Sequence, residues 1–166
     1  MANAVGARPI ATTRNAGKVQ ALLDAGAAAV VNTSTTPLAE EVKRLTGGKG
    51  ARIIFDPVVG PQLPALCEAA ADRGQVFLYG ALGGIDAPFP LLQALTKNLT
   101  LRTYQLGLIT TDEEKLERAK RWILERLENG QLKPTIAKVF PFDQIVAAHE
   151  YMESNAQVGK IVVSVP

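Results

Sequence analysis

Residues 51–60, ARIIFDPVVG, constrain the fold of this chain more than any other stretch. Ile53, Ile54 and Phe55 form a short apolar run that stops at Asp56-Pro57, and Gly60 leads through Pro61 into a helical pattern. A run this short, β-branched and aromatic and bounded by turn formers, reads as a strand buried on both faces. Such strands belong to parallel sheets sandwiched by helices. Residues 28–32 (AAVVN) and 75–80 (QVFLYG) repeat the plan, each ending in a polar or glycine residue. In open α/β sheets ligands bind at the carboxyl ends of the strands. Candidate chemistry is therefore sought at those ends.

The remaining elements follow the same alternation. Residues 8–13 (RPIATT) read as a strand, and Asn15 caps a helix over 16–25 that stops at Gly26. Pro37 opens a helix with Leu38, Val42 and Leu45 on one face, ended by Gly47-Gly48. A helix is expected over 62–72, a glycine-rich loop after residue 80, a short helix over 91–97 and a strand over 99–104 (LTLRTY). Thr111 with Glu114 has the spacing of a capping box for a helix running to about residue 129. A strand over 138–140, a helix capped by Asp143 and a final strand over 160–165 (KIVVSV) complete the reading. The pattern predicts one α/β domain, 1–166, with a doubly wound parallel sheet.

The 166 residues suffice for a substantial core, and a formal net charge of +2 argues for neither nucleic acid nor a membrane surface as partner. One cysteine, Cys67, precludes an internal disulfide, and with one histidine, His149, a zinc site is not expected. A cytoplasmic location is the expectation. Cys67 reads as a small apolar filler, and His149, Trp122 and Tyr151 as packing or surface residues on helices. The run DEEKLERAKR reads as a solvated helix face. No nucleophile–base pair is evident.

Arg14 and Lys18 lie one helical turn apart beside the capping region after the first strand, and no Asp or Glu occurs between Thr12 and Gln20. In dinucleotide folds an acidic residue at this place holds the ribose 2′-hydroxyl, whereas arginine accommodates a 2′-phosphate. The two cations are either a phosphate site or solvated surface charges. Asp56 either caps a turn with Pro57 or lines a cofactor cleft. No Gly-x-Gly-x-x-Gly or Walker-type phosphate loop occurs anywhere in the 166 residues.

The succession GARPIATTRNAGKVQALLDAGAAAVVN, GGKGARIIFDPVVG, GQVFLYGALGG and LKPTIAKVFPFDQIVAAHEYMESNAQVGKIVVSV resembles the medium-chain dehydrogenase/reductase superfamily. The likeness is to its quinone oxidoreductase branch, often labelled zinc-type alcohol dehydrogenase. It implies the carboxyl-terminal, cofactor-binding half of an enzyme of about twice this length. The fold it implies is a Rossmann-type sheet lacking its first strand and glycine-rich loop, with residues 131–166 returning toward a catalytic domain. The implied cofactor is NADP(H), with Thr13, Arg14 and Lys18 at the 2′-phosphate and Asn32 against the adenosine side. Asp56 and Val58 would follow the central strand, and Tyr79, Gly80, Ala81 and Leu82 would line the nicotinamide side. Gln105, Leu106 and Lys160 are further positions carried over from the family. The implied reaction is hydride transfer to a quinone, an enone or an aldehyde, with no catalytic side chain and no metal ligand in this chain. Alone, the chain is expected to be inactive. A homodimer is expected, possibly with exchanged elements. A free-standing binding module without catalytic activity is the rival reading, and an NAD-preferring alcohol dehydrogenase a third.

In the strand order 3-2-1-4-5-6 the missing strand is central. Its absence predicts direct pairing across the gap, a rearranged sheet, or exchange between copies.

Overall fold

The computed structural model describes all of residues 1–166. It divides into two compact units, Arg8–Ala119 and a second made of Met1–Ala7 with Lys120–Pro166.

The Arg8–Ala119 unit alternates strand and helix: β1 (Ile10–Thr13), α1 (Val19–Asp24), β2 (Ala29–Asn32), α2 (Leu38–Leu45), β3 (Ala51–Asp56), α3 (Leu63–Ala69), β4 (Ala70–Leu78), α4 (Leu91–Thr96), β5 (Thr100–Thr103) and α5 (Gly107–Thr110). Helix α6 (Glu113–Glu128) carries the chain into the second unit. All pairings are parallel, as the apolar runs linked by helices require. β1 pairs with β2 in one sheet, and β3, β4 and β5 form another in that order.

The gap expected in the sheet is therefore not closed by direct pairing, since β1 bonds only to β2 and β3 only to β4. Helix α2 joins the two sheets instead. Its Val42 packs with Val31 of β2 and Ala69 of α3, and Ile10 of β1 and Ala51 of β3 border the same cluster. A second cluster, Leu63, Cys67, Ala70 and Val76, fastens α3 onto the inner face of β3–β5, with Ile54, Leu78 and Leu101 around it. Burying each of the larger apolar side chains contributes roughly 1.5–3 kcal/mol. Burial also pushes the Cys67 thiol up from its ordinary pKa, which suits a filler rather than a nucleophile.

Burial of β3 on both faces is not found. Ile53 is 48% and Phe55 67% exposed, although Ile54 between them is turned toward the core. The pleat sends alternate residues to opposite faces, and α3 covers only one of them. Phe55 stacks on Phe77 of β4 at 4.9 Å between ring centroids.

Other boundaries shift for identifiable reasons. The helix expected over 62–72 ends at Ala69, because the Lys97 ammonium binds the carbonyls of Cys67, Glu68 and Ala70. The chain then enters β4 five residues before the expected strand. Asp112, not Thr111, caps α6, its Oδ1 accepting from the Lys115 amide at 3.1 Å; the Thr111 hydroxyl donates back to Gly107. Asp143 lies within a 3-10 turn, Phe142–Gln144, and caps no helix.

In the second unit β6 (Ile136–Pro141) pairs in parallel with β7 (Lys160–Ser164), and α7 (Ile145–Glu153) packs on the pair. Phe140 is buried against Tyr151 of α7, and the Lys138 ammonium stands 4.5 Å from the Phe140 ring centre. His149 is exposed, and Trp122 is stacked beneath the Arg126 guanidinium at 3.9 Å. No helix in the chain is long and apolar enough to cross a membrane.

Candidate functional site

Two loop pairs occupy the carboxyl ends of the strands in the Arg8–Ala119 unit. The first follows β1 and β2. Thr13 ends β1, and its hydroxyl accepts from the Asn15 amide at 3.1 Å. Asn15 in turn accepts from the Gly17 amide at 2.8 Å, starting the short 3-10 turn Ala16–Lys18. Its side chain fixes the direction of the chain that carries Arg14 and Lys18. Asn32 ends β2, and its Oδ1 accepts from the Ser34 amide at 3.1 Å. The Thr33 amide donates to the Thr13 carbonyl at 2.8 Å, and the Ser34 hydroxyl to the Arg14 carbonyl at 2.8 Å. The structure thus brings Thr13, Arg14, Lys18 and Asn32 to one place. Arg14 is exposed and Lys18 half-buried. Neither loop carries an Asp or Glu: residues 14–18 are RNAGK and residues 33–37 TSTTP.

Thr33 and Ser34 complete this corner and were passed over in the sequence, where TSTT reads only as a polar turn. Hydroxyls in tandem after a strand end were the available signal, but their contact with Arg14 is a tertiary fact, twenty residues away in sequence.

The second loop pair follows β3 and β4. Asp56 is 6% exposed. Its Oδ2 accepts from the Val59 amide at 2.5 Å and its Oδ1 from Gln62 Nε2 at 3.1 Å, so both oxygens are engaged within its own turn. Val59 sits at φ 55°, ψ −134°, a region that costs a β-branched residue considerable strain. The loop after β4 lies against this turn through three amides: Tyr79 donates to the Asp56 carbonyl at 3.1 Å, Leu82 to Pro57 at 3.2 Å, and Gly83 to Val58 at 2.7 Å. The backbones approach so closely that a methyl on Gly80 would stand 2.4 Å from the Pro57 oxygen, and one on Gly60 2.5 Å from that of Gly83. Tyr79, Gly80, Ala81 and Leu82 are exposed on the outer side of this double loop.

Gln105 and Leu106 follow β5 and are both exposed where α5 begins. The adjacent Tyr104 amide donates to the Leu78 carbonyl at 2.9 Å, tying them to the end of β4. Lys160 lies at the start of β7 in the second unit, its amide bonded to the Thr135 carbonyl at 2.8 Å. The other twelve positions all belong to the Arg8–Ala119 unit. No group of three or more His, Cys, Asp or Glu side chains comes together in a way that could hold a metal ion.

Residues 25–163 match the family model described as zinc-binding dehydrogenase. The chain belongs to this family. Among curated relatives, quinone oxidoreductase 1 of Escherichia coli (strain K12) is 31% identical over 95% of this chain and 49% of its own. A 2-haloacrylate reductase of Burkholderia sp is 26% identical over 96% of this chain and 48% of its own. Among solved structures, Escherichia coli quinone oxidoreductase complexed with NADPH superposes with a TM-score of 0.88 at 29% identity, covering 98% of this chain and 51% of that one. An NAD-dependent alcohol dehydrogenase superposes at 0.86 and 28% identity, covering 99% and 46%. The chain spans about half the length of the relatives it matches. The fold is the Rossmann-like, parallel α/β fold of the medium-chain dehydrogenases, and the relatives are oxidoreductases.

Proposed function

We propose that this chain is the cofactor-binding part of an NADPH-dependent oxidoreductase that reduces a quinone or an activated alkene or carbonyl. The observation that carries the reading is the corner after β1 and β2. It presents the exposed Arg14 guanidinium, with Lys18 one turn on and the Ser34 hydroxyl against the Arg14 backbone, and it has no carboxylate in either loop. A ribose 2′-hydroxyl calls for an acceptor at this position, and a 2′-phosphate calls for cations. The donor set present suits the phosphate. The likeness to a quinone oxidoreductase complexed with NADPH agrees with this choice, while the equal likeness to an NAD-dependent alcohol dehydrogenase leaves it to the residues of the corner.

In this reading Arg14 and Lys18 grip the 2′-phosphate, with Thr13 and Asn32 holding the two loops in place around the adenosine. Residues 79–82 receive the nicotinamide half. When bound, the cofactor supplies a hydride; the chain's own part is to orient it. Gln105 and Leu106 are assigned to the far end of the same cleft, and Lys160 to the segment that continues toward the rest of the protein. The chain spans about half the relatives' length, and in this reading it is assigned no turnover by itself. β5 pairs with β4 alone, and its open edge is the place we assign to a second copy in a homodimer. A cytoplasmic location belongs to the same reading.

Calorimetry with NADPH and NADH on the 166-residue chain, beside Arg14→Ala, tests the proposal. Loss of a charge-assisted contact is expected to weaken NADPH by roughly 10- to 100-fold and to leave NADH within about twofold. Equal weakening of both, or NADH bound more tightly than NADPH by the unaltered chain, would overturn it.

A further inference from the structure

We infer that Asp56 is a positioning residue for the 79–84 loop, not a ligand of the cofactor. Its buried carboxylate pins Val59 in a strained conformation, and so fixes the loop where the nicotinamide half binds; this rests on the functional reading above. Asp56 is buried where Tyr79 beside it is 47% exposed, and both its carboxylate oxygens are taken up by Val59 and Gln62. Nothing in that arrangement aims it outward.

What it does hold is the reversal at Val59. A valine at φ 55°, ψ −134° persists only where its surroundings over-determine it, and such outliers collect at ligand-positioning sites. Here the Asp56 Oδ2 bond to the Val59 amide supplies that constraint from one side. The reversal presents the carbonyls of Pro57 and Val58 to the amides of Leu82 and Gly83. Gly60, Gly80 and Gly83 leave no room for a side chain between the two loops, so the contact is backbone on backbone. Gly80 and Ala81, both exposed, lie between the bonded Tyr79 and Leu82 amides. The position of those two residues is thus set from beneath, through Asp56, Val59 and the 57–58 carbonyls.

The test separates the loop from the cofactor. In the cofactor-free chain, hydrogen exchange at the Leu82 and Gly83 amides is compared between the unaltered protein, Asp56→Ala and Asp56→Asn. Asp56→Ala is expected to speed exchange at these two amides by about tenfold or more, while amides of β1 and β2 keep their protection. Asp56→Asn, which keeps an acceptor for the Val59 amide, is expected to restore most of it. Affinities are then measured for NADPH and for adenosine 2′,5′-bisphosphate, which carries the phosphate-bearing half alone. Asp56→Ala is expected to weaken NADPH by about tenfold and leave the bisphosphate unchanged, a split that general destabilisation would not give. Unchanged exchange at Leu82 and Gly83, or equal loss of both ligands, would overturn the inference.

Failure of the unaltered chain to bind either ligand would instead overturn the functional reading, and the exchange measurement would still decide the role of Asp56 in the loop. Should Asp56→Ala not fold, Gly60→Ala parts the same loops from the other side, since its methyl would stand 2.5 Å from the Gly83 oxygen. The same split between the two ligands is expected; its absence counts against the inference.

Discussion

Lys97 is the sharpest single test of how the Arg8–Ala119 unit is held together. Its ammonium donates to the carbonyls of Glu68 at 2.6 Å, Ala70 at 3.1 Å and Cys67 at 3.2 Å. The Glu68 carboxylate stands 3.8 Å away, and the Lys97 side chain is 16% exposed. Its own carbonyl accepts from the Arg73 amide at 2.6 Å, so one residue ties the end of α3 to the start of β4. Lys97→Met keeps the apolar stem and removes the donors from three carbonyls around a helix end, of which that of Cys67 still accepts from the Ala70 amide. A hydrogen bond involving a charged group contributes about 1.5–3 kcal/mol, and three to one ammonium are not additive. Freed carbonyls at a partly open site recover some hydration, which points to a net loss of about 2–3 kcal/mol. For a chain of this size that corresponds to a fall in Tm of roughly 4–12 °C. Urea unfolding followed by circular dichroism, with the Tm measured alongside, gives the number. A loss below about 0.5 kcal/mol would refute the reasoning, because it would mean water satisfies these carbonyls as well as the ammonium does.

Two further outcomes follow from the same packing. Gly60→Ala combines a positive φ of 60° with a methyl 2.5 Å from a backbone oxygen; a loss of about 2 kcal/mol or more is expected in urea unfolding, and a neutral result would mean the two loops part easily. The Glu68 carboxyl is held below its ordinary pKa, first by its hydrogen bond from Lys43 and then by the charge of Lys97. A depressed folded-state pKa contributes stability above the unfolded value of about 4.3 and loses it as pH falls through the folded value. Glu68→Gln is therefore expected to lower stability at pH 7 and to flatten its decline below about pH 4.5, an effect kept small by the pair's 40% exposure. Parallel pH–stability curves for the two proteins would count against it.

The elements were legible where local chemistry and tertiary packing agree. Asn15 caps its turn as its sequence context demands, and the apolar face of α2 falls where its spacing puts it. The succession of strands and helices followed from β/α alternation. Elements misread were those settled by distant residues. Lys97 ends α3 from about thirty positions away, and no propensity of residues 69–72 announces it. Ile53 and Phe55 have the composition of interior residues, but composition cannot say whether a covering helix is present on their side. In the candidate site, the charge pattern around Arg14 was readable because its meaning lies in which residue types are present and absent. The part of Ser34, and the inward turn of the Asp56 carboxylate, depend on loops that meet only in the folded chain.

The uncovered side of β3 and β4 bears on how this chain is handled at the bench. The exposed Phe55 and Ile53, with Phe77 stacked on Phe55, form an apolar shelf on a sheet whose opposite side packs against α3. Fluorescent dyes such as ANS, which brighten on apolar surface, are commonly used as markers of molten, partly folded chains. Here a correctly folded molecule offers them a landing place. Dye fluorescence alone thus misreports this chain as loosely packed, and near-ultraviolet dichroism or sharp amide spectra are the measures of its foldedness.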